Sequence, residues 1–344
     1  MIDIVNIKVP YYSNVVIDMV SVGIVGLGAY VPPKIMTNDD WANIVDTSDE
    51  WITLKTGIKE RRIAEKNVCT SDLAVMASIQ AIEEAKISPK DIDLIILATS
   101  SPDVPLSSTA GITQHKLGCI NAGAFDINAV CAGWVHALEI GCKFAADSNY
   151  ENVLVVGSEV YSRIVNWEDR STCVLFGDGA GAAVLQKVEE GRGILGSWLH
   201  SDGGGSEVIE IPAGGVKKPF SSDNFKEGEQ YFHMDGRAVW DFAVDAFPQA
   251  VRGVLKRIDK NLKDVDMIIS HQANINIIKA GMKDLDLSIE KTFTNLHKYG
   301  NTAGASIPIA LREAVDEGKI KSGDLVVTVA FGGGLSWGAN AMIW

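Results

Sequence analysis

Ile92-Asp93-Leu94-Ile95-Ile96 and Val265-Asp266-Met267-Ile268-Ile269 are two versions of one apolar pentad, 266 − 93 = 173 residues apart. A second pair holds nearly the same offset: Asn152–Val156 and Asp324–Thr328 are 324 − 152 = 172 residues apart. Upstream of the pentads, Ala74, Val75, Ala77, Gln80 and Ala81 recur 169 residues later as Ala243, Val244, Ala246, Gln249 and Ala250. Three elements at nearly one spacing predict a duplicated α/β half. The join falls in the KVEEGRG turn near Val188–Gly191, giving halves 19–190 and 191–344. Residues 1–18 stand apart as an N-terminal extension, because Met19 opens a cleaner start (VSVGIVGLGAYVPP).

Short apolar runs bounded by acid, Gly or Asn read as buried strands: Leu94–Ala98, Val153–Val156, Ala182–Leu185, Met267–Ile269, Leu325–Val329 and Ala341–Ile343. Between them the apolar spacing of 73–85, 130–146, 242–258 and 307–314 is helical. Strands alternating with helices predict an α/β fold with mostly parallel, buried sheets.

The chain of 344 residues is 47% hydrophobic and 22% charged, which excludes disordered and disulfide-scaffold classes. A net charge of −13 opposes binding to nucleic-acid phosphates. The five cysteines form no C-x-x-C pair, so no metal site is expected, and an odd sparse set fits a reducing cytoplasm. No apolar run reaches the roughly 20 residues that span a bilayer, and no signal peptide is evident.

Cys131, in DINAVCAGWVHAL, sits where an apolar approach turns into a helical pattern. There the unpaired N–H groups and the dipole of a helix start would lower the thiol pKa. The bland alternative is a buried structural cysteine. His271, in IISHQANINII, directly follows a buried strand, at the end where open α/β sheets place their sites. Asn301, in HKYGNTAGASIP, lies in a tight loop feeding a helix. It is either a cap or an amide that donates to developing oxyanion charge. AFGGGLSWGA (330–339) offers close backbone approach after a strand. FGDGAGAAVL (176–185) superficially suggests a phosphate loop but lacks the following Lys-Ser/Thr. WITLKTGIKERR combines Trp51 with Lys55, Lys59, Arg61 and Arg62, a basic island suited to an anionic ligand or simply a solvated helix face.

Together these segments resemble the β-ketoacyl-acyl-carrier-protein synthase III family of thiolase-superfamily condensing enzymes. Seven motifs stand in order from about Val20 to Trp344: DTSDEWI, TGIKERR, the Cys131 segment, FGDGAGA, SHQAN, YGNTAGAS and FGGGLSWG. The resemblance implies thiolase-like duplicated halves in five αβαβα layers. It implies Cys131 as acyl-accepting nucleophile with His271 and Asn301, and an oxyanion hole from Gly332 and Gly333 of the GGG loop with the Cys131 amide. Thr47, Trp51, Lys55 and Arg170 match positions that hold coenzyme A, with Trp51 and Arg170 able to sandwich its adenine. Asn274 matches one that meets its pantetheine arm. Leu106 and Trp240 match acyl-pocket positions, Leu106 reaching across a homodimer interface.

The implied reaction is decarboxylative condensation of a short acyl-CoA with malonyl-acyl-carrier protein, initiating fatty acid synthesis in the cytoplasm without metal or cofactor. Rival readings are a condensing enzyme or acyltransferase of a secondary pathway, and a non-catalytic partner subunit. Asn276 stands where a basic residue often docks the acidic carrier protein, and Asp241 adds negative charge nearby.

Overall fold

The computed structural model describes residues 20–344; the expected extension 1–18 lies outside the described residues. The chain enters on strand β1 (Val22–Tyr30). A ribbon of β2 (Ile35–Thr37) and β3 (Glu60–Arg62) then encloses helices α1 (Asn38–Ala42) and α2 (Asp49–Thr56). Next come α3 (Thr70–Glu84), β4 (Leu94–Ala98), α4 (Thr109–Leu117), β5 (Gly123–Ile127) and α5 (Gly133–Ala146). The strand β6 (Val153–Glu159), the short α6 (Arg170–Cys173) and β7 (Gly179–Lys187) follow. Beyond β8 (Gly193–Ser201), a ribbon of β9 (Ile209–Glu210) and β10 (His233–Met234) leads to α7 (Gly236–Arg257). The remaining elements are β11 (Met267–Ser270), α8 (Ile275–Asp284), α9 (Leu296–Tyr299), α10 (Ser306–Asp316), β12 (Leu325–Gly332) and β13 (Ser336–Ile343).

Two sheets carry the architecture, in the orders β1-β7-β6-β4-β5 and β8-β13-β12-β11. The second order repeats the first strand for strand, and an isolated parallel bridge from Ile268 to Thr292 stands where β5 would pair. The central strands β4, β6, β11 and β12 are buried on both faces, so the period-2 alternation divides apolar from apolar. Leu94, Ile96 and Ala98 face the layer of α5 and α10 between the sheets, together with Val326 and Ala330. Ile95 and Leu97 face α3 on one outside, and Val327 and Val329 face α7 and α8 on the other. The result is five layers, helix–sheet–helix–sheet–helix.

The expectation of mostly parallel sheets is corrected. β4 is parallel to β5 and β6, and β11 to β12, but the pairs β6–β7, β1–β7, β12–β13 and β13–β8 are antiparallel. Only Gly333, Gly334 and Leu335 join β12 to β13. A parallel return needs a crossover of roughly a dozen residues, so so short a link dictates a hairpin.

Candidate active site

The two segments that approach the site from the middle layer share one turn. After β5, the Asn128 Oδ1 accepts the Val130 N–H at 3.1 Å, Val130 takes φ +47°, and residues 130–132 form a 3₁₀ turn running into α5. At an offset of 301 − 128 = 173, the Asn301 Oδ1 accepts the Ala303 N–H at 2.8 Å. Ala303 takes φ +44°, and residues 303–305 turn into α10. Positive φ is costly for a side chain as stiff as valine, so both turns are held by their surroundings. The copies differ in what they present: Cys131 in the first, Gly304 at its equivalent. In the second, the carbonyl of Asn301 is engaged by Ala303, which leaves its NH₂ as the free end.

His271 follows β11 and is fully buried, its backbone N–H donating to the Val329 carbonyl at 2.8 Å. Its Nδ1 lies 2.6 Å from the Ser306 hydroxyl, and its ring meets Phe331 edge-on at 5.6 Å. Burial holds its pKa down to about 3, so the ring is neutral at working pH. Cys131, His271, Asn301 and Gly332 share one cavity of about 120 Å³. A Cβ at Gly332 would stand 2.8 Å from that of Cys131, so only glycine lets β12 pass so close to the thiol. Gly333 lies beside Val130 and Ile209.

The rest of the cavity is mostly apolar, lined by Phe176, Phe232, Val239 and Trp240 among others. Tyr161, Phe176 and Phe232 form an aromatic cluster with ring centroids 4.7–5.8 Å apart, packed in one group with Cys131. Nothing in the spacing of these aromatics marks them in the sequence, because they come from three separate segments.

The expectation of a depressed Cys131 pKa is not met. Burial raises the thiol well above its ordinary range and the Glu159 carboxylate adds to this, while backbone hydrogen bonding opposes it. The helix start acts downward, but loss of water around the charged form is the larger effect. Glu159 itself was not singled out by the sequence. It is fully buried at the end of β6 and accepts hydrogen bonds from Thr99, Ser100 and Ser101, the closest from the Ser101 hydroxyl at 2.5 Å. Burial lifts its pKa to about 7 against the pull of those hydrogen bonds.

The outer residues are placed differently from one another. The Arg170 guanidinium lies over the Trp51 ring at 5.1 Å, and its Nη1 donates to the Asp46 carbonyl at 2.8 Å. The two pack on each other, so a ring sandwiched between them must part them. Among the described residues, the buried Thr47 hydroxyl meets no hydrogen-bond partner. Asn274 caps α8 and lines the cavity, its Nδ2 donating to the Lys55 carbonyl at 3.0 Å, while Lys55 itself is exposed. Asn276 donates to the same carbonyl at 3.0 Å and so clamps α8 to α2. Trp240 lines the cavity from α7, half-exposed. Leu106 is 90% exposed on the loop after β4, and the single chain does not bring it to the cavity.

Two segments singled out in the sequence contribute to the packing of the fold. Arg61 of the basic island is fully buried, donating to Asn38 Oδ1 at 2.8 Å and to the Val174 carbonyl, so it holds the fold together. The glycines of FGDGAGA serve close packing: a Cβ at Gly177 would stand 2.2 Å from the Tyr299 carbonyl, and one at Gly181 2.5 Å from Pro308. Among the described residues, no group of three or more His, Cys, Asp or Glu is arranged to hold a metal ion.

Models of the 3-oxoacyl-acyl-carrier-protein (ACP) synthase III family match residues 125–203 and, for its C-terminal part, 255–344. The chain is 50% identical over 327 residues to β-ketoacyl-acyl-carrier-protein synthase III of Caldanaerobacter subterraneus subsp. tengcongensis, covering 95% of this chain and 99% of that one. It is 48% identical over 326 residues to the synthase III of Clostridium acetobutylicum, covering 95% and 99%. Among solved structures, 3-oxoacyl-acyl-carrier-protein synthase III from Aquifex aeolicus superimposes with a TM-score of 0.87 at 44% identity, covering 94% of this chain and all of that one. The priming β-ketosynthase of the R1128 polyketide pathway also matches, with a TM-score of 0.87 at 30% identity over 94% of this chain and 96% of that one. Fold and relatives define a thiolase-like condensing acyltransferase. Within that class, the chain belongs to the β-ketoacyl-acyl-carrier-protein synthase III family.

Proposed function

We propose that this protein condenses a short acyl-CoA with malonyl-acyl-carrier protein to give 3-oxoacyl-acyl-carrier protein and CO₂, the initiating step of fatty acid synthesis. The sulfur of Cys131 attacks the thioester carbonyl of acyl-CoA, and coenzyme A leaves as the thiol, carrying the proton that Cys131 gives up. Malonyl-acyl-carrier protein then loses CO₂, and the electron pair of the broken C–C bond becomes an enolate. His271 and Asn301 donate to the enolate oxygen. The enolate carbon attacks the acyl carbonyl, with Gly332 and Gly333 of the GGG loop and the Cys131 amide around the oxyanion. Collapse expels the Cys131 thiolate, which takes up a proton. Atoms balance without a metal or cofactor, acyl-CoA being a substrate.

One observation carries this reading. The Asn301 carbonyl and the His271 Nδ1 are both engaged inside the protein, which leaves the Asn301 NH₂ and the His271 Nε2 for the cavity they share with Cys131. With the ring proton on Nε2, two donors converge beside a thiol and suit enolate stabilisation, whereas plain acyl transfer does not need the second. Thr47, Trp51, Lys55, Arg170 and Asn274 are assigned to the coenzyme A path, Leu106 and Trp240 to the acyl pocket, and the working form is taken as a cytoplasmic homodimer. The halves are taken as 19–190 and 191–344, preceded by the extension 1–18. Incubation with acetyl-CoA and then malonyl-acyl-carrier protein, with mass spectrometry of the Cys131 peptide, tests the scheme. The peptide should gain an acetyl group and lose it as 3-oxobutanoyl product forms; an unmodified Cys131 with normal turnover would overturn it. The likeness to a priming ketosynthase favours a second reading, in which the same chemistry primes a polyketide chain.

A further inference from the structure

The duplicated turns allow one half of the molecule to serve as an internal comparison for the other. His271 and Ser306 in the second half stand at the positions of Ala98 and Gly133 in the first, both at an offset of 173 (271 − 98 and 306 − 133). The contact between the two positions exists in both halves. A Cβ at Gly133 would lie 3.0 Å from that of Ala98, where in the second half the Ser306 hydroxyl lies 2.6 Å from His271 Nδ1. The half without the imidazole is also without the hydroxyl.

The direction of that hydrogen bond follows from the partners open to Ser306. Its oxygen also faces the Gln272 N–H at 3.4 Å, a group that can only donate. The serine oxygen accepts from Gln272, and among the described residues its hydroxyl has no acceptor in hydrogen-bond reach other than Nδ1, so its own proton is directed there. A neutral imidazole carries one ring proton, which then resides on Nε2, the nitrogen turned to the cavity. We propose that Ser306 is a positioning residue: by donating to Nδ1 it fixes His271 in the Nε2–H tautomer, so that the ring is an obligate donor and not a base. Its role in turnover rests on the reading of His271 as an enolate donor given above.

Two measurements separate the parts. Long-range ¹H–¹⁵N correlation spectra of ¹⁵N-histidine-labelled protein, assigned by loss of the signal in His271→Gln, read the ring directly and need no substrate. The wild type should show a protonated Nε2 and a hydrogen-bonded, unprotonated Nδ1. Ser306→Ala should lose that Nδ1 signature and populate the Nδ1–H form, and Ser306→Thr, which keeps the hydroxyl, should restore it. Decarboxylation of malonyl-acyl-carrier protein should fall about 10- to 100-fold in Ser306→Ala, less than outright deletion of a donor. Acylation of Cys131 should fall far less. A wild-type spectrum with the proton on Nδ1, or a Ser306→Ala protein with unchanged Nδ1 resonance, would overturn the proposal. A shifted tautomer with unchanged decarboxylation would uphold the positioning by Ser306 and remove His271 from the enolate instead. The wild-type spectrum decides even if Ser306→Ala does not fold.

Discussion

At Asn301 the amide presents its NH₂ because the Ala303 N–H holds its carbonyl. Asn301→Ala should therefore keep acylation by acyl-CoA and lose condensation by about 100- to 1,000-fold, the usual cost of removing one oxyanion-type donor. Measuring the two half-reactions separately checks this, and an equal fall in both would make Asn301 a structural cap. Cys131 is governed by burial and by Glu159. Its thiol pKa is raised, so the rate of alkylation should climb with pH through the range from about 6 to 9 without a plateau. Glu159 becomes charged as pH rises through about 7, and that charge disfavours the thiolate. In Glu159→Gln the alkylation rate should therefore exceed the wild-type rate above pH 7 and approach it below, with Tyr161 neutral throughout. A constant ratio at all pH values would show that the two groups do not communicate.

Helices and strands place these side chains by close backbone contact. A Cβ at Gly157 of β6 would stand 2.5 Å from the Gly304 carbonyl, in the turn between Asn301 and α10. Gly157→Ala must move that turn, at a cost of roughly 1–3 kcal/mol, the range of other overpacked cores. Denaturant unfolding should show the loss, and condensation should fall more than acylation because the turn carries Asn301. Unchanged stability would mean that the turn yields freely. At the outer end, Arg170 rests on Trp51 from a different element. Trp51→Ala should weaken use of acyl-CoA while sparing the reaction of an already acylated enzyme with malonyl-acyl-carrier protein. Equal damage to both would identify Trp51 as a packing residue of α2.

Across the whole molecule, the cavity beside Cys131 is lined by side chains that meet only on folding. Phe232 packs edge-on against Phe176 at 4.9 Å beside Cys131. The wild type should prefer acetyl to about four- or five-carbon primers, since each methylene without room costs roughly 1–3 kcal/mol. Phe232→Ala should move the optimum to longer chains, read as coenzyme A release across an acyl-CoA series. A wild-type optimum at eight carbons or more would instead place control at Leu106, whose exposed side chain would then act across a subunit interface.

Much of this was legible in the sequence itself. Leu94–Ala98 is apolar throughout and bounded by Asp93 and Thr99, so its burial and its limits follow from local composition, and β4 spans those residues. The 173-residue offset between the pentads already contained the two sheets, because equal sequences in equal contexts bury the same faces. Cys131, His271 and Asn301 were identifiable from their motifs. Tertiary structure alone decided the burial of Arg61 beneath Asn38 and Val174 and the meeting of Glu159 with the hydroxyls after β4. It also decided which nitrogen of His271 faces the cavity, because Ser306 is 35 residues away in sequence and 2.6 Å away in space. Pattern and propensity report a residue's neighbours along the chain. Protonation, tautomer and pocket shape depend on neighbours that only packing supplies, and burial amplifies each of those contacts by removing the water that would screen it.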